Sequence, residues 1–450
     1  MGERTSCATF KAAFVATRRF IGVLGYSNVL SVQPRREFLA RRPTDNMTAG
    51  PNLLCVGGED HHLRIPFLLE LRRGGSRITA AGTGDPGPFV RAGLDYRAIH
   101  FDRFISPATD RIAIGELRQL LHSVRPDIVQ SFDTKPNILV PWAARDFPAI
   151  RVVRTVNGMG WVYSSRSALA LMLRPVQRAL HRRAARWSHA TIFQNRQDKA
   201  YFEECGLIAP DRAVLIPGSG IDLDGFDHAI AAGHTRAQLR QSLALGDAEV
   251  VITVTRLTRQ KGIPTLLQAA ALVHKIRPDV RFVLVGPRDS EGPLAVSSAE
   301  IQAHAPYVVA IGPRNDVPAL LRMADVFVFP TEYREGVPRA LLEAALAALP
   351  LVATSMPGCD DVVQNGWSGR LVKPRAPRDL ASAIIDMLTD RAVGRAMGAR
   401  AAETVRSQFG LALTVDRYRD VYRSLLDSGS ASGVVCAGSG LDRLTRSAPV

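Results

Sequence analysis

The sequence predicts an α/β protein made of two doubly wound domains that face each other across a cleft. Its 450 residues exceed the length at which a single hydrophobic core stops growing, about 250–300 residues. Apolar, strand-like runs alternate with helix-like segments in two separate series, which is typical of parallel sheets covered by helices. Ligands of such sheets bind at the carboxyl ends of the strands, so we expect the functional site in the cleft.

The first series begins with the apolar run 52–56, followed by a Gly57-Gly58 turn and a helix-like segment at 64–73. Four further apolar runs, each followed by a polar or glycine-containing loop, end at Val129, Val153, Phe193 and Ile216. This repeated pattern predicts the first parallel sheet.

The second series has four apolar runs, at 250–254, 282–286, 308–312 and 326–329. A Gly-Ser-Gly run at 218–220 interrupts the pattern between the two series. We therefore assign residues 47–222 to the first domain and residues 223–427 to the second.

Both ends of the chain differ in composition from these domains. Residues 1–46 carry eight basic and three acidic side chains without a sustained period, and residues 428–450 are rich in Ser, Gly and Ala. We predict a disordered or non-native N-terminal extension and a flexible C-terminal tail.

Composition excludes several classes of protein. No run approaches the roughly 18 consecutive apolar residues that span a bilayer, so an integral membrane protein is not expected. The five cysteines are scattered singly, which indicates neither a disulfide framework nor a zinc site. The net charge of +15 is compatible with nucleic acid, an anionic membrane or acidic substrates, and does not choose among them.

Two carboxylates mark the segment that follows the apolar run 326–329. Glu335 lies in the loop after this run, Gly336 lets the backbone approach a ligand, and Pro338 suits the first turn of a helix. Glu343 follows within the helix. Carboxylates accept hydrogen bonds from sugar hydroxyls, so the pair can bind two parts of one extended ligand.

Two cations, Arg256 and Lys261, follow the apolar run 250–254, ahead of a helix predicted to begin near Ile263. Two positive charges at the end of a strand suit a diphosphate. They would stabilise the negative charge of a departing nucleotide without a metal ion.

Taken in order, these motifs resemble the family 4 glycosyltransferases, and the spacing of Glu335 and Glu343 matches that family's E-x7-E signature. Other matching positions are Gly286-Pro287, Pro357-Gly358 and the run 365–372. The resemblance implies the GT-B fold, in which two Rossmann-like domains face a cleft. It also implies a retaining, metal-independent hexosyltransferase that needs no cofactor, because the nucleotide sugar is a substrate.

The resemblance assigns the second domain to the nucleotide sugar. Glu343 would bind the ribose hydroxyls, and Glu335 would hold the donor sugar with the backbone of Gly336 and Val337.

The same resemblance assigns the diphosphate to Arg256 and Lys261. Gly57 and Gly58 match the glycine turn of the family's amino-terminal domain, which approaches the donor from the acceptor side of the cleft.

Motifs of the first domain resemble those of bacterial exopolysaccharide and lipid-linked oligosaccharide transferases. They lie at 132–137, 155–163, 193–195 and 218–222. This similarity implies a UDP-linked donor and an undecaprenyl-diphosphate-linked acceptor at the cytoplasmic face of the plasma membrane. Many relatives carry a histidine where this chain has Gln130. Asp133 or Lys135, in the loop after the run that ends at Val129, would serve the acceptor.

A basic helix is predicted at 167–188, within a stretch from 147 to 197 that has nine arginines and no acidic residue. The helical period places apolar residues on one face, Leu169, Leu173, Val176, Leu180 and Trp187, and arginines on the other, Arg174, Arg178, Arg182 and Arg186. This helix is either a solvated outer face or a docking surface for anionic lipid, and we expect peripheral membrane association.

Two other functions remain open at this stage. A soluble GT-B enzyme would use a small-molecule or glucan acceptor, and a nucleic-acid-binding protein would explain the charge. The second is disfavoured because the arginines are not interleaved with aromatic residues. Asp222-Leu223-Asp224 has the D-x-D spacing of metal-dependent sugar transferases, but its place at the domain boundary favours a structural role.

Overall fold

The computed structural model describes residues 50–101, 106–165, 167–288, 292 and 294–430. These residues form two parallel sheets within one compact unit. The first sheet has seven strands in the order β3-β2-β1-β4-β5-β6-β7. They are β1 Asn52–Gly57, β2 Arg77–Gly82, β3 Asp95–Ala98, β4 Ile128–Phe132, β5 Arg151–Val156, β6 Ala190–Phe193 and β7 Ala213–Leu215.

The second sheet has six strands in the order β10-β9-β8-β11-β12-β13. They are β8 Val250–Val254, β9 Arg281–Val285, β10 Val308–Ala310, β11 Val326–Phe329, β12 Leu351–Thr354 and β13 Arg370–Val372. In both sheets the chain starts near the middle and winds outward in both directions, which is the doubly wound topology.

Helices connect the strands of each sheet. Those of the first domain are α1 Ile65–Arg73, α2 Gly87–Arg91, α3 Pro107–Val124, α4 Pro136–Ala144, α5 Gly160–Ser164, α6 Ala168–Arg186 and α7 Arg196–Glu204. Those that follow β7 are α8 Leu223–Ala232, α9 Arg236–Ser242, α10 Ile263–Ile276, α11 Ser298–Gln302, α12 Val317–Met323, α13 Arg339–Leu346, α14 Pro377–Thr389, α15 Arg391–Gln408 and α16 Leu411–Ser430.

The strands are apolar on both faces because helices cover both sides of each sheet. In β1, Leu53 packs into one hydrophobic cluster and Leu54 into the cluster on the opposite face. In β8, Val250 and Ile252 belong to one cluster and Val251 to the other. Two cores per sheet explain why these strands read as continuous apolar runs rather than as alternating ones.

The predicted fold class is confirmed by these two sheets. Four strands were not predicted from the sequence: β2 and β3 at one edge of the first sheet, and β12 and β13 at one edge of the second. The predicted boundary at 222/223 falls between β7 and α8, and the buried Phe226 of α8 packs into the core of the second sheet.

The last helix returns to the first sheet, which the assignment of residues 223–427 to one domain did not foresee. Tyr418 and Tyr422 of α16 are buried in the same cluster as Leu53. The Tyr422 hydroxyl donates to Gln130 Oε1 at 3.0 Å. The helix includes residues 428–430 of the predicted tail, while the rest of that tail and the predicted extension 1–46 lie outside the described residues.

Candidate active site

Lys261 and Glu335 form an ion pair between the loops that follow β8 and β11. The side chain of Thr258 accepts from the Lys261 backbone N–H at 3.4 Å, which fixes the turn. Only 8% of Lys261 is exposed. Its ammonium also lies 5.3 Å from the centre of the Tyr333 ring, so a buried cation, a carboxylate and an aromatic face meet here.

Gly262 and Gly358 allow these loops to pack closely. Gly262 has a left-handed backbone with φ of +71°, and a side chain there would collide with the carbonyl of Pro330. A side chain at Gly358 would collide with the carbonyl of Gly336. Both positions therefore require glycine.

Arg256 and Glu343 lie close to Lys261 and Glu335 in the sequence. Arg256 is exposed, five positions before Lys261 in the same loop. Glu343 lies on α13, where its Oε1 accepts from Arg339 Nε at 2.9 Å and its side chain is largely buried. The structure thus places Lys261 and Glu335 in direct contact, with Arg256 and Glu343 on the loop and the helix that extend from them.

The opposite side of the cleft is built around Asp133, which follows β4. Its carboxylate accepts from the Gly58 N–H at 2.9 Å, from Arg64 at 3.1 Å and from Asn157 at 3.1 Å. Burial alone would raise the pKa of Asp133, but the charge of Arg64 and the hydrogen bonds of Gly58 and Asn157 hold it below its usual range. The φ of +68° at Asp133 is rare for a residue other than glycine, and such backbone strain clusters at functional sites.

Gly57 is required because of His61. A side chain at position 57 would collide with the His61 ring. The Nε2 of His61 donates to the Cys55 carbonyl at 3.1 Å. Burial, helped by the charge of Arg64, lowers the pKa of His61 to about 3, so this ring is neutral.

The two candidate acceptor residues, Asp133 and Lys135, are separated by the structure. Lys135 forms an ion pair with Asp110 of α3 at 2.6 Å. Asp133 lines the cavity between the domains, whereas Lys135 is not among its lining residues. Asp133 is therefore the better placed of the two.

A cluster that joins the domains received no role from the sequence. The Nδ2 of Asn195 donates to the Glu335 carbonyl at 3.0 Å, and Arg334 pairs with the fully buried Asp198 at 2.8 Å. Gly336 lies against the Asn157 carbonyl and Gln194, and Val337 lies beside Gly218. Asn195 and Asp198 also form the N-terminal cap of α7. This capping pattern and the matching motif at 193–195 are the signals that the sequence offers.

The cavity between the domains has a volume of about 230 Å³. Its walls come from the end of β5, from the segments that follow β1, β4, β5 and β11, and from α4, α5, α6 and α7. The lining residues are Asp60, Asp133, Thr134, Asn137, Val156, Asn157, Gly158, Met159, Gly160, Tyr163, His181, Phe202 and Tyr333. Asp133 of the first domain and Tyr333 of the loop after β11 therefore line the same cavity.

Gln130 has no access to this cavity. It is fully buried, its Nε2 donates to Thr155 Oγ1 at 3.0 Å, and its Oε1 accepts from Tyr422 at 3.0 Å. Through these two hydrogen bonds Gln130 links α16 to the first sheet, so its side chain has a structural role.

The D-x-D sequence serves a structural purpose. Asp222 caps α8 by accepting from the Gly225 N–H at 3.0 Å. Within the ranges that the structure describes, no group of three or more His, Cys, Asp and Glu side chains is placed to hold a metal ion.

Two family models match the chain. One, described as a glycosyl transferase 4-like domain, matches residues 69–218, and the other, described as glycosyl transferases group 1, matches residues 248–390. Together they cover almost two thirds of the chain, with one match over each sheet. The chain belongs to the group 1 glycosyltransferases.

Two relatives of this glycosyltransferase act on lipid-linked sugars. N,N'-diacetylbacillosaminyl-diphospho-undecaprenol alpha-1,3-N-acetylgalactosaminyltransferase of Campylobacter jejuni is 26% identical over 82% of this chain and 96% of the relative. UDP-Gal:alpha-D-GlcNAc-diphosphoundecaprenol alpha-1,3-galactosyltransferase of Escherichia coli is 29% identical over 71% of this chain and 81% of the relative.

A solved structure supports the GT-B fold of this glycosyltransferase. Anabaena HepE in complex with UDP and glucose aligns with a TM-score of 0.68 and 19% identity, over 83% of this chain and all of that chain. The predicted GT-B fold is confirmed.

The basic helix α6 differs from the prediction. Arg174 donates to the carbonyls of Val162 and Ser165, at 3.0 Å and 2.9 Å, and Arg178 donates to the Tyr201 hydroxyl at 2.8 Å. Arg182 donates to the Gly206 carbonyl at 3.0 Å. These three arginines, predicted to lie on one charged outer face, thus each donate to a neighbouring segment: to α5 and its C-terminal cap, to α7, and to the turn that follows α7.

The exposed face of α6 is instead apolar in its first half. Leu169, Met172 and Val176 are 59%, 74% and 50% exposed. Arg183 and Arg186 continue the same face and are also exposed. No helix of the described ranges is both long enough and apolar enough to cross a membrane.

Proposed function

We propose that the protein is a retaining glycosyltransferase that moves a sugar from a nucleotide-sugar donor, UDP-linked, to an undecaprenyl-diphosphate-linked saccharide in surface polysaccharide synthesis. The observation that carries this proposal is the Lys261–Glu335 pair, which lies beside Tyr333 of a cavity that Asp133 also lines. A cation for the leaving diphosphate and a carboxylate for the donor sugar thus lie across from an acceptor-side carboxylate.

The residues of the second domain act on the donor. Lys261 and Arg256 bind the diphosphate and stabilise the negative charge that develops as the bond to the anomeric carbon breaks. Glu335 accepts hydrogen bonds from the donor sugar, together with the backbone of Gly336, and Glu343 accepts them from the ribose hydroxyls. A metal ion is not needed for this charge stabilisation, because the two cations supply it.

The reaction joins the acceptor oxygen to the anomeric carbon, and the bond between that carbon and the diphosphate oxygen breaks. The hydroxyl proton leaves with the nucleotide diphosphate. The names of both relatives specify an alpha linkage, and UDP-hexoses such as UDP-galactose are alpha-linked. An alpha product from such a donor requires retention of configuration.

The acceptor proposal rests on the same two relatives. Their names specify acceptors in which an N-acetylated sugar is linked to undecaprenol through a diphosphate. We propose an acceptor of this class for the present chain, and therefore action at the cytoplasmic face of the plasma membrane.

We expect the purified protein to transfer sugar from one UDP-linked donor to undecaprenyl-diphosphate-linked N-acetylglucosamine, with the rate unchanged by EDTA. Radiolabelled product, separated by thin-layer chromatography and digested with linkage-specific glycosidases, measures transfer and anomeric configuration. Transfer to glucan or small-molecule acceptors, without transfer to the lipid-linked one, would support a GT-B enzyme of the other acceptor class. A beta-linked product would contradict retention.

We further propose that α6 binds an anionic bilayer. Leu169, Met172 and Val176 form an apolar stripe, and Arg183 and Arg186 extend the same helix face. Apolar side chains buried at the headgroup boundary and adjacent arginines that contact lipid phosphates are typical of interfacial helices. Each such arginine contributes about 1 kcal/mol at an anionic surface.

Replacing Met172 and Val176 together by glutamine is expected to reduce co-sedimentation with phosphatidylglycerol-containing vesicles, because the apolar insertion is lost. Ile276→Gln is the matched control, since Ile276 is 67% exposed but lies on α10 of the second domain. Equal sedimentation of the double variant and this control would contradict docking through α6.

A further inference from the structure

The inner wall of the cavity between the domains carries two polar groups without partners. The Nδ1 of His181 and the hydroxyl of Tyr163 are buried and have no hydrogen-bond partner in the part of the chain that the structure describes. Both residues line the cavity. An unpaired buried polar group is costly, so native proteins leave few of them, and each one calls for an explanation such as a bound water, ion or ligand.

Both groups are neutral. His181 is only 4% exposed, and burial, with the charge of Arg154, lowers its pKa to about 3. Its imidazole therefore offers one N–H donor and one nitrogen acceptor. Burial raises the pKa of Tyr163, so its phenol keeps its proton and can donate.

The wall around these groups is apolar. Val156, Met159 and Phe202 line the same cavity, and the Phe202 ring lies edge-on to His181 at 5.2 Å between ring centres. Asp60 and Asp133 line it as well, and their negative charges disfavour an anionic ligand. The cavity therefore suits a neutral group that has a donor, an acceptor and a small apolar part.

The size of the cavity limits its occupant. Its volume of about 230 Å³ is below the roughly 300 Å³ at which pockets for drug-sized ligands begin. One monosaccharide unit suits this volume, whereas a whole nucleotide sugar is too large.

The position of Tyr333 connects this cavity with the donor side. Tyr333 lines the cavity. The Lys261 ammonium lies 5.3 Å from the centre of the Tyr333 ring. A sugar in the cavity therefore lies next to the cation that we assign to the donor diphosphate, where an acceptor must lie.

We infer that this cavity is the subsite for the acetamido group of the acceptor sugar, with His181 and Tyr163 as the residues that select it. The amide N–H donates to His181, the amide carbonyl accepts from Tyr163, and the methyl group packs against Met159 and Phe202. Asp133 accepts from the ring hydroxyls. This inference rests on the proposed function, since it specifies the acceptor of the same reaction.

The test compares two acceptors, undecaprenyl-diphosphate-linked N-acetylglucosamine and the same lipid carrying glucose. The wild-type protein is expected to favour the first in kcat/KM by more than about tenfold, since a lost hydrogen bond of about 1–1.5 kcal/mol corresponds to about tenfold. His181→Phe and Tyr163→Phe each reduce this ratio towards one. Tyr201→Phe is the matched control, because Tyr201 is the adjacent tyrosine whose hydroxyl binds Arg178 and does not line the cavity.

A ratio that stays at the wild-type value in both variants overturns the inference while leaving glycosyl transfer, and hence the proposed function, intact. A binding measurement tests the subsite separately from the proposed transfer reaction. Saturation-transfer NMR with methyl N-acetylglucosaminide is expected to show binding to the wild-type protein and loss of binding in His181→Phe. Equal signals from methyl glucoside and methyl N-acetylglucosaminide overturn the inference even if no transfer is seen.

Discussion

Lys261→Met is expected to lower kcat by about 100- to 1000-fold, the range for removing one preorganised group that stabilises charge in a transition state. Lys261 is the buried cation nearest the donor carboxylate, so its loss leaves the departing diphosphate with only the exposed Arg256. Steady-state transfer assays at saturating donor measure kcat directly. Arg259→Met is the matched control, because Arg259 lies in the same loop but points to Glu300 on the surface, at 2.7 Å.

Loss of stability has to be separated from loss of chemistry in this experiment. Lys261 and Glu335 are both largely buried, and breaking one half of a buried pair destabilises a protein. The double variant Lys261→Met with Glu335→Gln removes both charges, so neither is left unpaired. We expect it to regain thermal stability and to stay inactive. Activity near the wild-type level in the single or the double variant contradicts the assignment of Lys261.

The contact between Lys261 and Glu335 followed from local sequence. Each residue lies in the loop directly after a strongly apolar run, and the carboxyl ends of neighbouring parallel strands meet at one edge of a sheet. β8 and β11 are such neighbours, and glycine at position 262 lets their loops touch. Patterns within one domain were therefore sufficient to bring these two side chains together, while their roles in the reaction remain predictions.

Contacts between distant segments were not predictable in the same way. The sequence makes Lys135 an acceptor-side candidate, but it does not predict the ion pair of Lys135 with Asp110, 25 positions away. The helical period of α6 correctly separates two faces, but it does not reveal which one packs inward. In the structure the guanidinium groups of Arg174 and Arg178 donate to local partners, and Met172 is exposed.

The missed strands have a different physical cause. β2 has the sequence Arg-Ile-Thr-Ala-Ala-Gly, and alanine and glycine have low strand propensity. Its backbone pairs with β1 over six residues, so tertiary context determines its conformation. The Asn195–Asp198–Arg334 cluster was missed for a related reason, because 136 positions separate Asp198 from Arg334 and only the arrangement of the domains joins them.

Arg334→Met is expected to destabilise the protein by about 3 kcal/mol, the lower end of the range for breaking a buried ion pair. Asp198 is fully buried, whereas the Arg334 side chain is 24% exposed. Most of the lost stability therefore comes from leaving the Asp198 carboxylate buried without its partner. Chemical denaturation measures the loss. Arg406→Met removes an ion pair with Asp227 in which both side chains are exposed, and it should cost less than about 1 kcal/mol.

The pH dependence of the Arg334→Met variant identifies Asp198 as the cause. Burial already raises the pKa of Asp198, although Arg334 opposes this effect, and the variant removes that opposition. The folded state then binds more protons than the unfolded state, so stability falls as pH rises through the interval between the two pKa values. The destabilisation should therefore be smaller near about pH 5 than near about pH 7.5.

Adding Asp198→Asn to the variant, which removes the charge, should restore much of the stability and abolish this pH dependence. A pH-independent loss, or a loss that the asparagine does not relieve, would mean that Arg334 acts through packing rather than through its charge.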